Sequence, residues 1–371
     1  MGKKICIVTS AHPVLDARIF YKQAKSLKKN GFNVSLIAPH DKEEIIEGIK
    51  IKPIKKTNNL LYRRTIILFN ILHLALKQNA NIYHLHDLEL IIPGIILKLF
   101  GKKVIYDFHE DKYLSFKNRK GVINRYILSP LVDILQKLAT KFFYTILAEK
   151  FYAKRIDGDI NILNYPLKSK FNKINVLEQR KNQNKNILLY TGRVTKNRGA
   201  INHVKILNYI EDIEVHLIGY CEKELAEELK RIAGDNKNRL YIEGENYFVP
   251  YERILEYYHN EHLLAGLSVF PDIPKLTQKE LTKFFEYMAA GLPIICTDSP
   301  TWNKLIEENK VGITVNPNEI ESFISAVKYL KNNPKKALKM SLQGEKISKT
   351  KYNWSIEEKK LLQFYKKIIS N

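Results

Sequence analysis

Lys283-Phe284-Phe285-Glu286-Tyr287-Met288-Ala289-Ala290-Gly291-Leu292-Pro293-Ile294-Ile295 is the stretch whose reading decides the fold. Its apolar residues recur at helical spacing and stop at Gly291-Leu292-Pro293, where glycine permits a left-handed cap and proline cannot extend a helix. From Ile294 the pattern becomes a short buried strand. A helix returning directly into an apolar strand belongs to a β-α-β unit, and such units build parallel sheets covered on both faces. Upstream, Tyr190-Thr191-Gly192-Arg193 reads as a strand end entering a loop that carries Arg193, Arg198 and Gly199. Thr282 and Lys283 stand at the start of the helix, where unpaired backbone amides, a hydroxyl and an ammonium favour an anion. Two guanidiniums beside a helix start suit a diphosphate. Glu286, one turn further in, would repel phosphate and suits hydroxyl groups instead. Diphosphate plus diol describes a sugar nucleotide.

Working outward, strand and helix patterns alternate along the whole chain. Residues 3–10 read as a buried strand, 19–29 as a helix stopped by Asn30-Gly31, and 33–38 as the next strand; the series continues through strands at 82–85, 103–106 and 159–163. Residues 168–185 are rich in Lys, Asn and Gln without periodicity and read as an interdomain connection. A second series follows, with strands at 186–190, 213–218, 239–242, 265–270, 293–296 and 312–315. The expectation is α/β: two doubly wound Rossmann-like domains facing across a cleft lined by the carboxyl ends of their strands. The boundaries are 1–168 for an acceptor-side domain, 169–185 for the linker, 186–350 for a nucleotide-sugar-binding domain, and 351–371 for an amphipathic helix suited to dock on the first domain.

Bulk properties agree. A chain of 371 residues suits two domains, and 45% hydrophobic content excludes wholesale disorder. No apolar run reaches the roughly 20 residues of a spanning helix, and the opening run is too short for a secretory signal. Cys6, Cys221 and Cys296 are scattered and odd in number, which argues against a disulfide framework and for a reducing compartment, the cytoplasm. The net charge is +22; residues 1–168 hold 29 Lys and Arg against 14 Asp and Glu, the remainder 32 against 25. Such an excess fits an anionic membrane, an acidic substrate or simply solvated lysine. A nucleic-acid partner is not expected, because no readout motif accompanies the charge. Aromatic and basic residues interleave at 112–120 and at Tyr62-Arg63-Arg64. Such segments suit a lipid headgroup surface, or loops over an acceptor groove. Peripheral association with the inner face of the cell membrane is therefore an open expectation.

In the first half, His86-Asp87 and His109-Glu110-Asp111 each follow an apparent strand and should line the cleft on the acceptor side. His84 and His86 share a strand face, as metal ligands do, but no third or fourth ligand has convincing spacing, so no metal is expected. Asp157-Gly158-Asp159 reads as a turn. G-x-G-x-x-G, P-loop and nucleophile-elbow patterns are absent, which removes the fingerprints of dinucleotide redox enzymes, NTPases and α/β-hydrolases.

Taken together the chain resembles glycosyltransferase family 4, of the GT-B fold, over nearly its whole length. Phe285-Glu286-Tyr287-Met288-Ala289-Ala290-Gly291-Leu292-Pro293 is the most specific element of the resemblance. Thr9-Ser10-Ala11-His12-Pro13 through Asp16-Ala17-Arg18-Ile19-Phe20, His86-Asp87-Leu88-Glu89, Tyr106-Asp107-Phe108-His109-Glu110-Asp111 and Tyr352-Asn353-Trp354 resemble bacterial cell-envelope members. The resemblance implies a retaining, metal-independent transfer of a sugar, expected to be a hexose, from a UDP- or GDP-type donor to a glycan or lipid-linked acceptor. Arg193 matches the phosphate-binding arginine; Arg198 stands where many members have lysine. Glu286 matches the second glutamate of the family's E-x7-E motif, which grips the ribose. Gln278 occupies the place of the first, with Glu280 or the backbone left to hold the sugar hydroxyls. Thr282, Lys283 and Gly192 fall on the phosphate side, Tyr247 and Val249 in the segment that frames the base, and Asp16 and Arg18 on the loop facing the phosphates. His109 matches the histidine near the donor sugar, which makes it a catalytic candidate with Arg193, Arg198 and Glu286. The alternative is a non-catalytic GT-B subunit supporting a partner transferase, motivated by the missing glutamate; a GT-B sugar-nucleotide epimerase is a further one.

Overall fold

The computed structural model of the chain describes residues 2–57, 59, 62–109, 112–117, 121–181 and 185–370. The chain forms two compact units, one of residues 1–164 with 356–371, the other of residues 165–355.

The first unit is built on an eight-stranded sheet. Its strands in chain order are β1 (Lys4–Val8), β2 (Asn33–Pro39), β3 (Glu44–Ile46), β4 (Ile49–Ile54), β5 (Ile82–Leu85), β6 (Lys103–Phe108), β7 (Tyr144–Leu147) and β8 (Ile160–Asn161). Their spatial order is β3-β4-β2-β1-β5-β6-β7-β8, parallel except for the β3–β4 pair. The chain winds outward from β1 in one direction and from β5 in the other, so these two strands flank the topological switch point. Val8, Leu85 and Phe108 lie in one apolar cluster with Leu97 and Ala139 from the covering helices and with Phe143, which follows the second of them. The β3–β4 hairpin went unforeseen in the sequence. It turns through Glu47 and Gly48, with φ of 49° and 77°, so the local twist of a two-residue hairpin turn is met without the usual Asn-Gly or Asp-Gly. The strand β7 was likewise not anticipated.

The helix Trp354–Ser370 covers this unit from residue 356 onward. The Tyr365 hydroxyl lies 2.8 Å from His84 Nδ1, Glu357 Oε2 accepts from the Leu163 amide at 2.7 Å, and Lys103 Nζ donates to the Ile368 carbonyl at 2.6 Å.

The second unit holds a wholly parallel six-stranded sheet: β9 (Ile187–Thr191), β10 (Glu214–Cys221), β11 (Leu240–Glu245), β12 (Leu263–Ser268), β13 (Ile294–Thr297) and β14 (Gly312–Val315), in the order β11-β10-β9-β12-β13-β14. Here the switch point lies between β9 and β12. The helix expected after Leu281 runs Thr282–Ala289 and is stopped by Gly291 at φ 66°. A side chain on Gly291 is excluded sterically as well, because its Cβ would fall 2.3 Å from Val176 Cγ2. Val176 opens the helix Val176–Lys181, so much of the stretch expected as a linker is packed into the second unit, and the chain passes between units at 164–165 instead. No described helix is long and apolar enough to cross a membrane, and all three cysteines are buried free thiols.

Candidate active site

The carboxyl ends of β9, β10 and β11 carry three glycines that sit on one another. A Cβ on Gly219 would fall 2.2 Å from the Gly192 carbonyl oxygen, and one on Gly244 2.4 Å from that of Gly219. All three have positive φ (102°, 144° and 107°), so only glycine lets the strand ends stack this closely. Across the switch point Gly199 approaches the end of β12, its Cβ position lying 2.0 Å from the Val269 oxygen. The result is a close-packed row of backbone at the strand ends, in which Gly199, Gly219 and Gly244 are buried and Gly192 is half-buried.

Three charged groups surround it. Lys283 is buried, its Nζ 3.5 Å from the centre of the Tyr190 ring and without a hydrogen-bond partner among the described residues. A Cβ on Gly192 would lie 3.6 Å from that nitrogen. Burial first, and then the charge of Arg198, push the Lys283 ammonium well below its ordinary pKa, while Glu286 pulls the other way. The Tyr190 hydroxyl donates to the Arg193 carbonyl at 2.9 Å, and burial pushes its pKa up to about 12 against the charge of nearby Arg198. Glu286 is the third charge. Its Oε1 accepts from the Tyr251 hydroxyl and its Oε2 from the Tyr258 hydroxyl, both at 2.9 Å; Tyr258 in turn meets Thr191 Oγ1 at 2.9 Å. The two phenols fix the orientation of the carboxylate. A buried amine with no acceptor among the described residues and a carboxylate fixed by two phenols thus flank the half-buried Gly192 at the end of β9.

In the first unit the switch point gathers histidines and carboxylates. Arg18 grips Asp107 with two nitrogens (Nε–Oδ2 3.0 Å, Nη2–Oδ1 3.1 Å), and Gln23 Nε2 donates to the same carboxylate at 2.6 Å. His84 and His86 stack at 4.5 Å and approach Asp107 Oδ2 at 3.7 and 3.8 Å. Burial acts to raise the Asp107 pKa, but the Arg18 guanidinium and the two imidazoles hold it well below the usual range. Nearby, Asp87 Oδ2 accepts from Thr9 Oγ1 and the Ser10 amide, each at 2.7 Å, which fixes the loop after β1. His12 Nε2 lies 2.9 Å from His109 Nε2 and 3.6 Å from Asp87 Oδ1.

Residues 173–347, most of the second unit, match the family model described as glycosyl transferases group 1. Over that segment the chain is similar to the group 1 glycosyltransferases. An uncharacterized glycosyltransferase of Haemophilus influenzae is 25% identical over 364 residues, which is 95% of each chain. Sucrose-phosphate synthase from Thermosynechococcus elongatus superposes with a TM-score of 0.77 at 15% identity over 99% of both chains. Anabaena HepE, solved in complex with UDP-glucose, superposes at 0.71 with 12% identity, over 98% of this chain and 99% of that one. These likenesses give the chain the GT-B fold.

Of the expected residues, Gly192, Arg198, Lys283 and Glu286 come together at one switch point. Arg193 does not join them. Val194 bridges to Cys221 and is buried, which turns Arg193 outward; its side chain is 60% exposed, 3.5 Å from Glu222 and over the Tyr220 ring. Arg18, expected to face phosphates, is instead buried and consumed by Asp107. Asp16 is a local anchor, accepting from the Arg18 and Ile19 amides at 2.8 Å; burial opposes ionisation, yet His12 and these amides lower its pKa to about 2. Val249, expected to frame a base, is 1% exposed beneath Gly244, whereas Tyr247 is half exposed. Gln278 and Thr282 are exposed, and Glu280 is half-buried. His86 and Asp87 are buried, His109 is half-buried, and Glu110 and Asp111 lie outside the described residues. The third ligand that His84 and His86 lacked in sequence is Asp107, already paired with Arg18. Sequence reading missed Gly219, Gly244, Tyr258 and the partner of Arg18. The glycines carried a signal, each ending an apolar strand; the others are tertiary pairings with no local mark.

Proposed function

We propose that the protein is a retaining glycosyltransferase that moves a hexosyl group from a UDP- or GDP-linked donor to a glycan or lipid-linked acceptor. The observation that carries this reading is the buried amine of Lys283, without a hydrogen-bond partner among the described residues and beside Gly192 at the end of β9, with Glu286 held one turn further along the same helix. Lys283, Arg198 and the first amides of the helix Thr282–Ala289 neutralise the leaving diphosphate. A single preorganised contact of this kind is worth roughly 3–4 kcal/mol in the transition state. Arg193 joins them by leaving Glu222, since an exposed ion pair holds it by only about 0–1 kcal/mol. Glu286 takes the ribose hydroxyls. His109 serves the reacting sugar through its ring, and the departing phosphate oxygen accepts the acceptor's proton on the same face, which preserves configuration.

Calorimetry with UDP and GDP tests the donor site. Micromolar binding of at least one, weakened at least tenfold in Glu286→Ala, is expected. No binding of either nucleotide, with the protein folded, overturns the reading.

The acceptor side of the reading includes an anionic membrane surface. Its support is the connection between β6 and β7. Val122, Ile123, Tyr126, Ile127, Leu131 and Ile134 are each at least half exposed there, and Leu138 and Phe142 continue the stripe. Over residues 112–142 the basic side chains include Lys112, Lys117, Arg125, Lys137 and Lys141, and the sole acid is Asp133. An apolar face edged by cations suits the headgroup boundary. Flotation with vesicles rich in phosphatidylglycerol should capture the protein, Ile127→Glu/Ile134→Glu should not float, and equal flotation of both would refute the docking face.

A further inference from the structure

We infer that His12, His109 and Asp87 form a binding site for a divalent transition-metal ion of the zinc type in the first unit. The argument begins with tautomers. His109 Nδ1 lies 3.2 Å from the Asp107 carbonyl oxygen, which can only accept, so Nδ1 carries the proton and Nε2 presents a lone pair. His12 Nδ1 faces the Asp16 carboxylate at 3.6 Å, which favours the same tautomer. Two imidazole lone pairs then point at each other across 2.9 Å, with Asp87 Oδ1 at 3.6 Å from one of them. A cation between the rings would take both lone pairs.

The neighbouring group shows the contrast. Among His84, His86 and Asp107 the cation is already present as the Arg18 guanidinium. Around His12, Asp87 and His109 the ligand atoms lie within 4.8 Å of one another, and among the described residues the ion pairs of Asp16 and Asp87 are with His12 alone. On a tetrahedral ion with bonds of about 2.0–2.1 Å, ligand atoms stand about 3.3 Å apart, between the two separations seen here. The outer contacts are also those of a metal site. His109 is oriented by a backbone carbonyl and His12 by a carboxylate, while the second oxygen of Asp87 is fixed by Thr9 and Ser10. Water completes the fourth position. The ion takes the lone pair of His109, so on the function proposed above it opposes transfer.

Calorimetry of the full chain with zinc chloride, and visible spectra with cobalt(II), test the site. One ion per chain is expected, with a tetrahedral cobalt spectrum. His12→Gln should abolish binding, and Asp16→Asn, which leaves every ligand in place, should weaken it about 10–100-fold. Thermal melts establish that the variants fold. No zinc binding, as a shared proton between the rings would give, overturns the site, and so does unchanged affinity in His12→Gln. UDP binding measured on the same samples separates this outcome from a failure of the donor site. Zinc should slow transfer, and a chelator should restore it.

Discussion

Lys283 places an amine against the Tyr190 and Phe270 rings, with no hydrogen-bond partner among the described residues. Methionine has similar volume and no donor, so Lys283→Met should raise the melting temperature of the ligand-free protein. The same change should weaken UDP binding about 10–100-fold, the loss expected of one charge-assisted hydrogen bond of about 1.5–3 kcal/mol. A lower melting temperature, or undiminished affinity, would show that the amine is engaged elsewhere. The depressed pKa gives a second expectation. A lysine whose pKa is low in the empty site is partly neutral at mildly alkaline pH, and a bound diphosphate favours its charged form. UDP binding should therefore take up protons there, read as a difference in calorimetric heat between buffers of unlike ionisation enthalpy, and Lys283→Met should abolish the difference. Glu286 was legible in sequence because its place one turn into a stopped helix is a local property. Arg18 was misread because its partner Asp107 lies 89 positions away, and nothing near Arg18 announces a buried carboxylate.

At the scale of elements, the stacked glycines make the strand ends of the second unit intolerant of any side chain. Gly219→Ala must displace the Gly192 carbonyl and should destabilise the protein by about 3 kcal/mol or more, with UDP binding lost. Gly234 also has positive φ (57°, with ψ −127°), but its Cβ position meets nothing within 4 Å, so Gly234→Ala should lose only the backbone strain, about 1–3 kcal/mol. Urea denaturation of the two variants measures the difference; equal values would show that the close approach relaxes freely. The parallel strands were readable because burial on both faces leaves continuous apolar runs, as in β1, β5 and β12. The hairpin of β3 and β4 escaped because it lies at the sheet edge, where Glu44, Lys50 and Lys52 break the run.

For the whole molecule, both sheets and the β-α alternation were legible, whereas the boundaries were displaced. Composition marked residues 168–185 as a connection, yet a few apolar contacts, Val176 on Gly291 among them, suffice to hold the segment to the second unit. The first unit consequently needs residues 356–371, whose Leu361, Tyr365 and Ile368 are buried. A chain ending at residue 168 should lack a cooperative melt and expose apolar surface to a fluorescent dye. A sharp transition matching that of the full chain would show the helix to be dispensable.

That discontinuity reaches back to synthesis. Domains tend to fold as they leave the ribosome, in order of appearance, at about 5–20 residues per second. Here the order inverts. Residues 165–355 are contiguous and complete their unit while the earlier-made unit still lacks the helix that covers His84. During that interval the nascent sheet presents uncovered apolar surface, which makes it the segment on which chaperones are expected to act.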